Sequence, residues 1–258
     1  MSQAKAIVLL CSDGDSTRAI ANALTTEFGP IRVVMEQPVT RWQMARRRAK
    51  KIGVARVLGQ MAFVAAVLPV LYRTGRKRIE EIETHHGLKK EWADTEISNV
   101  DSVNSDAARK ILRDLRPDVV IVNGTRIISQ QTLDCVDSIF INTHAGITPL
   151  YRGVHGGYWA LVENKPQLVG TTVHLVDKGI DTGNIIEQAF FPVTENDNFA
   201  TYPYLHTAHG IPILLDAVKR FFEGRLDVKP EGNGLSSMLR YHPTIWGYLF
   251  HRITNGVR

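Results

Sequence analysis

The chain has 258 residues, of which 44% are hydrophobic and 22% are charged. This length and composition suit one well-buried α/β domain with an appendage, and they exclude a disordered or fibrous chain. The formal net charge of +5 has a local origin, because residues 41–78 contain eleven lysines and arginines and no acidic residue. The remaining chain has more acidic than basic residues, so the basic character belongs to one segment.

The chain contains two cysteines, Cys11 and Cys135, with no CxxC spacing and no secretory signal ahead of the first apolar run. We therefore expect a reducing, cytoplasmic setting. Nothing near either residue in the sequence would lower its pKa, so we expect both cysteines to fill the core.

The first ninety residues predict two strands, one helix and an insertion. A buried strand is expected at residues 6–12, a helix capped by Asp15 or Ser16 and ending near Phe28, and a second strand at 31–35. Residues 42–87 are helical in pattern and combine basic blocks with an apolar run at 57–72, which we interpret as an insertion at about 41–90. Sixteen residues are fewer than the roughly 20 that span a bilayer, so a spanning helix is not expected.

The second half of the chain alternates strands and helices. We expect the following order: a weak strand at 95–103, a helix at 106–115 capped by Ser105, a buried strand at 117–124, a short helix at 130–135, strands ending at Asn142 and covering 171–176, a helix at 201–223 and a breaker at 230–234. This alternation predicts an α/β, Rossmann-like fold with a mostly parallel sheet and helices on both faces. We expect a catalytic domain at 1–200 and a short C-terminal helical extension at 201–258.

Three polar side chains form the candidate catalytic group. Asn142 and His144 lie two residues apart in an extended segment, so their side chains leave the same face. Asp181 follows the strand at 171–176 and can join them only if the two strands are neighbours. Segments 124–126, 142–144 and 177–181 are all expected at one rim of the sheet. An amide, an imidazole and a carboxylate suffice for acyl transfer to an amine, which needs a donor to the oxyanion and a proton carrier.

Residues 119–124, 142–153 and 170–183 together resemble the formyl-tetrahydrofolate-dependent transferases, which include glycinamide ribonucleotide, methionyl-tRNA and nucleotide-sugar formyltransferases. The resemblance covers about residues 103–195 and implies catalytic roles for Asn142, His144 and Asp181, with 10-formyltetrahydrofolate as co-substrate. It also implies that backbone groups of two loops hold the pterin, although the isoleucines could equally be core residues. These loop residues are Arg126, Ile127, Ile128, Val176, Asp177, Lys178 and Gly179.

Other histidines lack a comparable context. The pair His85-His86 has no cysteine or spaced partner, so no metal site is expected. Packing or surface roles are expected for the remaining candidates, which are His155, His174, His206 and His209.

The acceptor amine is less constrained by the sequence. Asp13 and Asp15 stand where relatives that act on glycinamide ribonucleotide bind a phosphate, which counts against that substrate. The tRNA-specific relatives carry a further domain for which we expect no room, so nucleic acid is not the expected partner, even though basic residues could hold RNA phosphates. We therefore expect a nucleotide-linked or lipid-linked amino sugar of surface polysaccharide synthesis, and a non-catalytic relative stays an alternative.

Basic flanks around an apolar helix favour contact between residues 41–78 and an anionic membrane surface. The aromatic and basic tail at 241–252 could add a second contact. The alternative is that residues 57–72 form a core or homodimer-interface helix. If residues 41–78 contact a membrane, the enzyme would be cytoplasmic and peripheral on the inner face of that membrane.

Overall fold

A computed structural model of the chain describes residues 5–230 and 238–258. Its nine strands are β1 (Ile7–Cys11), β2 (Arg32–Glu36), β3 (Glu96–Val100), β4 (Val119–Asn123), β5 (Ile139–His144), β6 (Tyr151–Gly153), β7 (Gly170–Leu175), β8 (Ile185–Phe190) and β9 (Met238–Arg240). Seven of them form one sheet in the order β3-β2-β1-β4-β5-β7-β8, whereas β6 and β9 pair separately. Strands β1 to β5 are parallel, and β7 and β8 are antiparallel additions. The predicted Rossmann-like, mostly parallel sheet is confirmed.

Nine α-helices accompany these strands in the described residues. They are α1 (Asp15–Phe28), α2 (Arg41–Ile52), α3 (Val54–Ala62), α4 (Leu68–His86), α5 (Asp106–Leu115), α6 (Gln130–Leu133), α7 (Gly156–Val162), α8 (Tyr202–Phe222) and α9 (Ile245–Asn255). Ser105 caps α5 as predicted, since its side chain accepts a hydrogen bond from the Ala108 N–H. The predicted cap of α1 is wrong, because Gly14 occupies that position and Asp15 lies in the first turn. Most of the predicted breaker at 230–234 lies outside the described residues.

The two faces of the sheet are covered by different helices. Alternate residues such as Leu9 and Ile121 pack with α1 and α8 on one face, and their neighbours Leu10 and Val122 pack with α5 on the other. This pattern follows from the two-residue period of a strand whose faces are both buried. Helix α8 contributes Leu214 to the first cluster, so the segment that follows residue 201 packs directly on the sheet. The division of the chain at residue 201 stays a prediction.

The insertion is a run of helices. Helix α3 continues through a π-helical turn at Phe63–Val67 into α4. The resulting continuous helix, Val54–His86, is the one helix in the described residues that is long and apolar enough to cross a membrane by length and composition alone. Its most apolar 18-residue stretch is 28% buried. We expected no membrane-spanning helix because we considered only the apolar run at 57–72. The helix that contains this run has 33 residues.

Candidate active site

Strands β5 and β7 build the floor of the candidate site. Because side chains alternate along β5, Asn142 and His144 leave the same face. The antiparallel register places His174 of β7 opposite Asn142 and Thr172 opposite His144. Cross-strand neighbours share a face of the sheet, so the amide and two imidazoles project together from this pair of strands.

The loop that follows β7 carries Asp181 to this floor from an unexpected direction. Since β7 is antiparallel to β5, the loop starts beside the amino-terminal end of β5, where the Val176 N–H donates to the Phe140 carbonyl at 2.8 Å. The prediction that all three segments share one rim is therefore wrong for the start of this loop. The loop then returns along the face and places Asp181 Oδ1 3.4 Å from His144 Nδ1. The predicted neighbourhood of the strands is thus present, and the carboxylate meets the imidazole.

The turn around Asp181 depends on tight backbone packing. Asp181 has a φ of 53°, which is left-handed backbone that aspartate tolerates better than most residues. Asp177 Oδ1 accepts hydrogen bonds from the Gly179 N–H at 2.9 Å and the Thr182 hydroxyl at 2.7 Å. A methyl group at Gly183 would collide with the carbonyl oxygen of Leu175. The loop therefore folds back closely on its own strand.

The imidazole of His144 is held between two oxygen acceptors. Its Nε2 lies 2.7 Å from the Tyr151 carbonyl oxygen, and its Nδ1 faces Asp181. Both the His144 and Asp181 side chains are largely buried, at 5% and 14% exposure. An oxygen atom therefore faces each ring nitrogen, which fixes the orientation of the imidazole. The other oxygen of Asp181, Oδ2, accepts a hydrogen bond from the Gly153 N–H at 2.9 Å.

The short strand β6 supplies both backbone anchors of this pair. In a strand, the polar groups of alternate residues point the same way, so Tyr151 and Gly153 face His144 and Asp181. The other side of β6, to which the backbone groups of Arg152 point, pairs with β9, and Arg152 lies opposite Leu239. On that side the Val154 N–H also donates to the Arg240 carbonyl at 3.2 Å. The C-terminal strand therefore backs the strand that anchors the site.

His174 is a site residue that the sequence analysis assigned to packing. Its Nδ1 donates to the Leu175 carbonyl at 2.7 Å, which leaves Nε2 to accept from the Asn142 amide at 3.1 Å. Burial lowers the pKa of His174, and its hydrogen bond to Leu175 partly opposes this. A neutral ring with this tautomer orients the Asn142 side chain. The available signal was the position of His174 in the middle of a predicted strand next to the site, but its partner depends on register.

The predicted folate residues occupy two separate loops. Arg126 lies just beyond β4, where its N–H donates to Glu36 at 2.7 Å and its guanidinium forms an ion pair with the same carboxylate. Ile127 is 57% exposed and Ile128 is buried in the core. The remaining four residues, at 176–179, begin the loop that carries Asp181. The two loops therefore start at opposite ends of the parallel strands.

The formyl transferase family profile matches residues 4–209 of this chain. The chain belongs to the formyl transferase family. This membership agrees with the resemblance drawn from the three sequence segments.

Curated relatives are similar to part of this family member. A methionyl-tRNA formyltransferase from Thermodesulfovibrio yellowstonii is 27% identical over 132 residues, which is 51% of this chain and 42% of the relative. Another, from Kosmotoga olearia, is 30% identical over 56% of this chain and 45% of the relative. The chain therefore matches less than half the length of these relatives.

Solved structures show the same fold at low identity. A sugar N-formyltransferase from a Shewanella species has a TM-score of 0.54 and 16% identity, over 91% of this chain and 76% of that one. An N-formyltransferase from Helicobacter canadensis, in complex with folinic acid and dTDP-3-aminofucose, has a TM-score of 0.56 and 16% identity, over 90% and 70%. Phosphoribosylglycinamide formyltransferase from Streptococcus pneumoniae has a TM-score of 0.54 and 20% identity, over 84% and 99%.

Proposed function

We propose that this chain is an N-formyltransferase that moves a formyl group from 10-formyltetrahydrofolate to the amine of a small molecule. The observation that supports this most directly is the assembly of Asn142, His144 and Asp181, with 3.4 Å between the imidazole and the carboxylate. The Asp181 carboxylate, from the loop after β7, meets the pair on β5, and the second nitrogen of His144 and the second oxygen of Asp181 are bonded to backbone groups of β6. This is the arrangement that acyl transfer to nitrogen requires.

Each group of the assembly has a role in this reaction. As the amine attacks the formyl carbon, the carbonyl oxygen gains negative charge and the nitrogen loses a proton. Asn142 gives one amide hydrogen to His174 and has a second that can donate to this oxygen. The imidazolium form of His144 would stabilise the same charge, and Asp181 would balance the imidazolium and receive the amine proton directly or through water.

The folate-binding role that we propose for the two loops fits the chemistry of their residues. Ile127 presents an exposed apolar side chain in the loop after β4, which suits one face of a flat heterocycle. Backbone donors and acceptors at a strand end match the edge of such a ring. Complexes of two relatives of this fold with folate derivatives give independent support. The residues concerned are Arg126, Ile127, Ile128, Val176, Asp177, Lys178 and Gly179.

We propose a nucleotide-linked or lipid-linked amino sugar of surface polysaccharide synthesis as the acceptor. The structural similarity to sugar N-formyltransferases supports this class. The start of α1 argues against a phosphate monoester such as glycinamide ribonucleotide, because Arg18 is paired with Asp13 at 2.9 Å and a second carboxylate, Asp15, lies in the first turn. A phosphate there would meet two negative charges and one neutralised arginine.

A second candidate acceptor is methionyl-tRNA. The curated sequence relatives act on this substrate by name, and the basic segment at 41–78 could contact RNA phosphates. The match spans less than half of those relatives, so their substrate is carried to this chain only as an alternative.

Purified protein incubated with 10-formyltetrahydrofolate and a panel of amino-sugar nucleotides, lipid-linked amino sugars and methionyl-tRNA tests these proposals. Mass spectrometry should show one acceptor class that gains the mass of one CO. His144→Ala should abolish product while folate binding persists, and His85→Ala, a change at an exposed histidine, should be silent. Folate binding without turnover of any amine would favour the non-catalytic alternative, and turnover of methionyl-tRNA alone would refute the sugar proposal.

We propose the cytoplasm as the site of action. Both cysteines are free thiols, and Cys11 lies buried in β1. Burial raises the pKa of the Cys11 thiol to about 12, so this residue is chemically inert core.

A further inference from the structure

Helix α9 turns an apolar face to solvent. Trp246, Leu249, Phe250 and Ile253 recur at spacings of three, four and seven residues, which places them on one side of the helix. All four are exposed, with Phe250 at 61% and Ile253 at 83%. The opposite side is anchored in the domain, where Tyr248 is buried against Phe63. The helix is therefore amphipathic with its apolar side outward, which is the reverse of an ordinary surface helix.

Helix α3 extends this surface. Val54, Leu58 and Met61 are exposed and recur at spacings of four and seven residues, so they form a second apolar stripe. The two helices touch, because the Trp246 ring packs so closely on Gly59 that a methyl group there would collide with it. We call the combined surface the α3–α9 face; its residues are Val54, Leu58, Met61, Trp246, Leu249, Phe250 and Ile253.

The surroundings of the α3–α9 face are basic. Residues 41–78 contain eleven lysines and arginines without an acid, and residues 238–258 contain three arginines without an acid. Helix α2 packs beside α3 and exposes Arg46, Arg47 and Lys50. Lys51 lies 5.9 Å from the Tyr241 ring, close to the start of α9. Exposed apolar side chains beside the basic helix α2 are complementary to a surface of anionic headgroups over acyl chains.

We propose that the α3–α9 face docks on an anionic lipid surface, with the apolar side chains in the headgroup boundary and Arg46, Arg47 and Lys50 of α2 on the headgroups. The helix Val54–His86 lies on the lipid in this arrangement and does not cross it. Its inner side is packed along the domain, since Gln60 donates to the His242 carbonyl at 2.8 Å and the Leu71 carbonyl accepts from Asn198 at 3.2 Å. The proposal is independent of catalysis, because docking requires no turnover.

Flotation with phosphatidylcholine vesicles, with and without phosphatidylglycerol, tests the proposal. We expect the full chain to float with the anionic vesicles at low salt, to be released at high salt, and to ignore pure phosphatidylcholine. The double variant Phe250→Glu/Ile253→Glu should lose on the order of tenfold or more of its lipid binding, because two exposed apolar side chains are replaced by like charges of the lipid.

Phe190→Glu is the matched control, because Phe190 is a phenylalanine of β8 with 53% exposure. It should float like the wild type, and circular dichroism should show all variants folded. An absence of flotation at low salt, or equal flotation of the double variant, would overturn the proposal. So would retention in the membrane after carbonate washing, which indicates a spanning helix, or a dimer in light scattering that Phe250→Glu dissociates.

Discussion

Asp181 is fixed at three points, and its charge can be separated from its shape. Its backbone is left-handed, Oδ2 accepts the Gly153 N–H, and Oδ1 faces His144. Asparagine favours the same backbone region and offers one oxygen of the same size. If the asparagine oxygen keeps the Gly153 N–H, the substitution removes the negative charge and turns the group that faces His144 from an acceptor into a donor.

We predict that Asp181→Asn lowers kcat by about 10²–10⁴-fold, the range usual for a positioned proton-transfer group, with little change in the thermal melting temperature. Asp181→Ala should lose the same activity and some stability as well. Asp137→Asn, at an exposed site, is the control for loss of a charge. Wild-type turnover in Asp181→Asn would show that the charge is not used.

Sequence alone could predict the trio that we propose as catalytic, but not its neighbour His174. Asn142 and His144 share a face because of strand alternation, which is a local property. The place of His174 depends on which residue of β5 it faces, and that register is set by strand pairing over 32 residues. Local patterns contain no information on that pairing.

At the scale of elements, β6 links His144 and Asp181 to the C-terminal segment. Gly153 has a φ of 95°, and a methyl group there would collide with the Arg240 carbonyl oxygen of β9. Gly224 also has a positive φ, of 66°, but a methyl group there would meet nothing within 4 Å. The two glycines thus differ in packing and share the same backbone requirement.

We predict that Gly153→Ala and Gly224→Ala each lose about 1–2 kcal/mol from left-handed backbone strain. Only Gly153→Ala should also lose turnover, because displacement of β9 disturbs the N–H that holds Asp181. Thermal melts and kcat measurements on both variants separate the effects. Equal activity of the two would show that β9 does not support the site.

Two of the elements that the sequence analysis missed, β6 and β9, have partners that are distant in sequence. Strand β9 has three residues and pairs with β6, and the histidines that follow these strands, His155 and His242, are 87 residues apart. Strand β8 was also missed. It is the edge strand of the sheet and is only partly buried, so its residues show no continuous apolar run. Long runs with strong local signals, such as β4 and α8, were found because their burial is encoded in consecutive residues.

At the scale of the whole molecule, the buried histidines set the response to acid. Burial lowers the pKa of His206 to about 3 and that of His242 to about 4. The unfolded chain binds these protons near the ordinary value of 6.5. Stability is therefore complete above that pH and declines as the pH falls through 6.5 toward the folded values.

We predict that the free energy of unfolding falls between pH 7 and pH 5 by about 2 kcal/mol for each of these two histidines. His206→Gln should reduce the loss of unfolding free energy between pH 7 and pH 5 by the part that His206 contributes. His85→Gln, at an exposed histidine, should leave that loss unchanged. Urea denaturation at the two pH values measures both effects. An unaltered pH dependence in His206→Gln would contradict the assignment.

The anchors that β6 provides to His144 and Asp181 are a carbonyl and an amide of the main chain. Exchange of the Arg152 side chain leaves those two groups in place, whereas the Tyr151 side chain is buried in the core and Gly153 has no room for a side chain. Insertion or deletion of one residue in this strand would instead swap its inward and outward groups. Position 152 should therefore tolerate changes of side chain in evolution, whereas the strand should reject changes of length.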